Sequence, residues 1–117
     1  MKLIKIINAY DTAEKLSELS GFSKDDQWSL YKLRKSLRDH YNFKQEQEKK
    51  IGEKYVQYAN DEGVITGEPF MNYKKDITDL YNMEIEYTPE EEITLPIVDG
   101  FICPYMEALE DFVTLKN

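Results

Sequence analysis

His40 and Cys103 are the only histidine and the only cysteine of the chain. A base beside a thiol can take its proton and make a thiolate nucleophile. Single copies of each carry little weight, because any chain holding one of each offers the same pair. A zinc site of the usual Cys/His kind needs at least three such ligands, so that chemistry is excluded. Carboxylates come next, in "NDEG" at 60–63 and "TPEEEITLP" at 88–96. Neither run has the alternating oxygen ligands and fixed glycine of a calcium loop. Paired carboxylates can cleave glycosides, but an acidic chain supplies such pairs at any spacing. No phosphate-cradling glycine loop and no nucleophile elbow occurs. No catalytic residue, metal ligand or cofactor site is expected.

The basic stretch "KLRKSLRDHY" gathers Lys32, Arg34, Lys35 and Arg38 inside a chain of net charge -8. On a helical wheel Leu30, Leu33, Leu37 and Tyr41 centre the buried side. Lys32, Lys35 and Arg38 then fall on the flank and back, and Arg34 falls at the edge of the apolar stripe. Duplex affinity rests largely on neutralising phosphates, and 23 carboxylates oppose that approach. The stretch reads as the solvated side of a helix, and no nucleic acid is expected as partner.

These residues sit on elements that the spacing of apolar residues defines. "KLIKIIN" at 2–8 reads as a short strand, with β-branched Ile4, Ile6 and Ile7. Asp11 and Glu14 fit a capping box opening a short helix with Ala13, Leu16 and Leu19, which ends at Gly21. Ser23 and Asp26 mark the next start. Leu30, Leu33, Leu37, Tyr41, Ile51, Tyr55 and Tyr58 then recur at spacings of three and four as far as Asn60, with breaks at Lys44 and Glu48. A continuous helix over that span would be about 50 Å long, longer than a compact domain of this size. Its polar middle is expected to project or to bend.

After a loop at 60–69, a helix from Pro69 to about Asn82 carries Phe70, Tyr73, Ile77 and Leu80 on one face. "MEIEYT" (83–88) and "ITLPIV" (93–98) alternate as strands, and Pro96 marks the second as an edge. Pro104 opens a last helix with Tyr105, Leu109, Phe112 and Val113. The expected fold is α+β, a single domain over 1–117. It combines a long helical hairpin, additional short helices and a small antiparallel sheet of two or three strands.

Composition sets the class. With 117 residues, 41% of them apolar and 13% aromatic, the chain has enough to fill one core. One cysteine allows no internal disulfide, which fits a reducing compartment. The apolar start is broken by Lys5 and ends at Asn8, short of a secretory leader. No run approaches the roughly 20 apolar residues of a membrane span. A cytoplasmic protein is expected. Charge is lopsided: residues 1–60 carry 12 Lys/Arg and 9 Asp/Glu, while 61–117 carry 3 and 14, so +3 and -11 make up the -8. Such asymmetry suggests an acidic interaction surface.

The segment order resembles a small family. "YKLRKSLRDHYNFKQEQEKKIGEKY", a glycine-punctuated loop, "F..Y..DI..L", "MEIEY", "ITLP" and "CPYMEALEDFV" follow one another as in phage- and prophage-encoded proteins of Gram-positive hosts, classed as a domain of unknown function. That resemblance carries no functional residues across. It implies a virion or assembly component, or an early protein that modulates a host factor.

The expected function is a non-catalytic protein–protein interaction module. Its contact surface is expected at 83–98, with Glu84, Glu86, Glu90, Glu91 and Glu92 steering a protein partner with a basic surface and Tyr87 supplying packing area. A homo-oligomer is compatible with this. The alternative is an acidic mimic of nucleic acid that inhibits a host-defence protein.

Overall fold

The structure, a computed structural model, describes residues 1–19, 21–89, 91–96 and 107–116. It is mostly helical. Helix α1 spans Leu3–Ser17, α2 spans Lys24–Tyr55 and runs into a 3-10 turn at Val56–Tyr58, and α3 spans Gly67–Tyr81. Strand β1 (Thr94–Pro96) pairs with β2 (Thr114–Lys116).

The segment 2–8 is helix, not strand. Leu3, Ile6, Ile7, Ala13 and Leu16 are buried at helical spacing, so burial of that stripe overrides the β-propensity of three isoleucines. Asp11 and Glu14 consequently lie inside α1, where no cap is needed. The real start is Lys2, which offers no side-chain cap. The Leu3 amide donates instead to the Met83 carbonyl at 2.9 Å, and the Ile85 amide to the Met1 carbonyl at 2.8 Å.

Ser23 caps α2 by accepting from the Asp26 amide at 3.1 Å, with Asp25 and Asp26 in the positive first turn and Lys54 in the last. The helix runs without interruption for 32 residues. At 1.5 Å per residue it is about 48 Å long, against a longest molecular dimension of 51 Å. The fold accommodates it by being elongated, 51 × 29 × 21 Å, and not by a bend. Helix α1 covers the N-terminal half of α2 and α3 packs along the C-terminal half.

The sheet is parallel, not antiparallel. Thr94 faces Thr114 and Leu95 faces Leu115. The alternation in 93–96 does give a strand, but its partner is the C-terminal segment rather than 83–87. A parallel pair needs a connection of a dozen or more residues, and 97–113 supplies that length. Segment 83–88 keeps its alternation, with Met83, Ile85 and Tyr87 half-buried and Glu84 and Glu86 exposed. It makes only a single antiparallel bridge, Glu84 with Lys2, because its neighbour turns into a helix after that residue. The expected start of the last helix at Pro104 and the residue Ile97 lie outside the described residues. Residues 107–109 form a short helical turn that buries Leu109, and Phe112 is buried just after it.

One core joins Ile6, Ala9, Ala13 and Leu16 of α1, Leu30, Leu33 and Leu37 of α2, Ile93, Leu95, Leu109 and Phe112. A smaller one joins Leu3, Ile7 and Leu80.

Candidate interaction groove

Leu30, Leu33 and Leu37 turn one side of α2 inward, so residues 28, 31, 32, 35 and 38 share the opposite side. Along that stripe run Trp28, Tyr31, Lys32, Lys35 and Arg38. Residues 87–89 and 91–93 lie beside it because Tyr87 hydrogen-bonds Ser36 at 3.0 Å, with ring centroids of Tyr87 and Phe112 5.5 Å apart, and because Ile93 is anchored in the core. Between the two lies an open groove of about 820 Å³, whose second wall is Tyr87, Pro89, Glu91 and Ile93. That volume falls within the range of ligand and peptide clefts.

Trp28 is 59% exposed and Tyr31 is 38% exposed. Their rings stack with centroids 5.4 Å apart and planes 21° apart. The Arg34 guanidinium carbon lies 6.0 Å from the Tyr31 ring centroid, at the limit of a cation–π contact. Lys32 Nζ reaches Glu91 Oε1 at 3.1 Å across the groove. Lys35 and Arg38 are exposed, and among the described residues no ion pair engages either.

The residues expected to meet a partner are placed as follows. Glu84 accepts a hydrogen bond from the Met1 amino group at 2.9 Å, which holds its carboxyl below the usual carboxylate range. Glu86 is exposed. Glu91 is paired with Lys32, and Glu92 accepts from the Thr114 hydroxyl at 2.9 Å. Tyr87 is half-buried, with its hydroxyl on Ser36 and its ring against Phe112, so much of its area is covered by the chain itself. Glu90 lies outside the described residues. The acidic segment and the basic helix face thus border one groove, although they are far apart in sequence.

His40 stands edge-on to Tyr87, with ring centroids 6.2 Å apart, and its buried Nδ1 has no hydrogen-bond partner among the described residues. Cys103 lies outside the described residues. Among the described residues no three His, Cys, Asp or Glu side chains cluster as metal ligands, and no helix is long and apolar enough to cross a membrane.

Trp28 and Tyr31 were not among the expected contact residues. Their signal was legible: two aromatics three residues apart, both opposite the leucine stripe, cannot join the core that the leucines define.

Comparison with protein-family models, with curated proteins and with solved structures finds no match to this chain.

Proposed function

We propose that this chain is a non-catalytic protein–protein interaction module of the phage type, serving in assembly or in modulating a host protein, and that the groove between α2 and segment 87–93 is its contact surface. The observation that carries this is the exposed Trp28–Tyr31 stack at the groove. Exposed stacked aromatics hold large rigid area in water, and covering them is a large source of interface energy at low entropic cost. Glu91 on one wall and Lys35, Arg38 and Asp39 on the other set a charged rim of both signs, which suits the polar edge of a protein interface.

The test is partner capture from host lysate and, separately, from purified virions. Capture in one of them should be lost in Trp28→Ala with Tyr31→Ala and kept in a control at the far end of the molecule, Met71→Ser. Indifference to the aromatic pair, together with binding that collapses steeply with salt, would support the acidic mimic in its place.

A further inference from the structure

Resting on that reading of the groove, we infer that its occupant is an acidic, extended protein segment carrying an aromatic or aliphatic residue. The two walls divide the labour. The stripe on α2 presents Lys35 and Arg38, which no ion pair engages among the described residues, one and two helical turns after Tyr31 of the Trp28–Tyr31 stack. Among the described residues, the facing wall offers carbon from Pro89 and Ile93 and one carboxylate, Glu91, already held by Lys32. Of the charges that line the groove among the described residues, Lys32 and Glu91 satisfy each other, which leaves Lys35 and Arg38 against Asp39. The groove is therefore locally positive on a molecule of net charge -8.

A segment with spaced carboxylates can pair with Lys35 and Arg38 while an apolar side chain covers Trp28. A nucleic acid fits less well. Its affinity grows with the number of phosphates neutralised, and two free cations neutralise few, while the rest of the chain repels a polyanion. A basic segment would have to displace Lys32 from Glu91 and face Lys35 and Arg38.

Trp28 is the only tryptophan, so its emission reports on the groove directly. The probes are three: a short synthetic peptide of alternating Glu and Ser around a central Leu-Phe pair, the same peptide with Lys for Glu, and oligo-dT. The acidic peptide should shift Trp28 emission to the blue and bind, whereas the other two should not. Lys35→Glu with Arg38→Glu should weaken that binding about tenfold or more. Glu91→Gln should tighten it about two- to fivefold, by freeing Lys32 and removing a like charge. Stronger binding of the lysine peptide or of oligo-dT, or no binding of the acidic peptide, overturns the inference. The two fail separately: if partner capture needs Trp28 but ignores the Lys35/Arg38 reversal, the groove is the interface and its occupant is not acidic, whereas capture that ignores Trp28 and Tyr31 overturns the wider reading.

Discussion

Around Leu30, Leu33 and Leu37 helix α2 is enclosed by aliphatic side chains from α1, β1 and the C-terminal turn, whereas around Tyr55 it is held by hydroxyls and charges from α3. The first three leucines are fully buried. At the other end the Tyr55 hydroxyl donates to Asp76 at 2.7 Å, Lys54 approaches the same carboxylate at 3.2 Å, and Tyr81 donates to Glu48 at 3.1 Å. The Tyr55 ring is buried, but its hydroxyl meets Asp76 at the surface. Of α3 only Leu80 is buried, while Phe70 and Met71 are exposed. Apolar burial is non-directional and indifferent to pH, and hydrogen-bonded carboxylates are neither. The end bearing the groove is therefore the rigid one, and the end bearing α3 should open first in local unfolding.

The sharpest way to break this comparison is to truncate a leucine. Leu33→Ala should cost about 2–5 kcal/mol, through lost transfer energy and a cavity among well-packed neighbours. Ile77→Ala in the half-buried face of α3 should cost clearly less. Denaturant midpoints measure both, and equal losses would mean that the two ends share one cooperative core.

Strengthening the weaker end is the second approach. Gly52 sits inside α2 with nothing within 4 Å of an added Cβ. Gly52→Ala should therefore raise stability by about 0.5–1 kcal/mol, since alanine loses less backbone entropy and meets no clash. Hydrogen exchange should slow most in residues 45–81. In contrast, Gly63 and Gly67 have φ of 79° and 69°, where an L side chain is strained, so alanine there should not stabilise.

Helical spacing in the sequence located α2, α3 and the leucine core, and alternation located β1 and the inward side of 83–87. It failed at residues 2–8, because the seven residues "KLIKIIN" fit either period and only the buried partner decides. Strand pairing was illegible for a related reason: β1 could meet any strand, and its partner is the last segment described. The groove lay half hidden. The basic face could be read from the wheel, but the closeness of Lys32 and Glu91 is a product of tertiary packing.

Acidity weakens the α3 end through Asp76, and a single substitution isolates that contribution from the one at Glu84. The Tyr55 hydroxyl, followed by Lys54, holds the Asp76 carboxyl below its usual range. A carboxyl with a depressed folded-state value contributes stability above its unfolded value, about 3.9, and loses it as pH falls through the lower folded value. Asp76→Asn should thus lower the melting temperature by a constant amount at neutral and mildly acid pH. The gap to the wild type should close below about pH 4. A gap that persists there would mean that Asp76 acts through shape and not through charge.

The smallest expected effect is on stability from Glu91 at the groove and its neighbour Glu92. Lys32 and Glu91 approach to 3.1 Å, but the Glu91 side chain is 57% exposed, and exposed pairs contribute about 0–1 kcal/mol. Glu91→Lys with Glu92→Lys removes that pair and the Thr114 hydrogen bond, and places a cation beside Lys32. It also removes four units of negative charge from a molecule carrying -8, which relieves self-repulsion and offsets part of the loss. The melting temperature should therefore change by no more than a few degrees. Binding should respond differently, because at an interface these charges set encounter rate and partner sign. Reversal should speed capture of an acidic segment and slow that of a basic one. Should the double reversal instead unfold the protein, segment 87–93 is held against α2 by its charges. Its anchoring through Tyr87 and Ile93 would then be insufficient, and the groove would share the weakness of the α3 end.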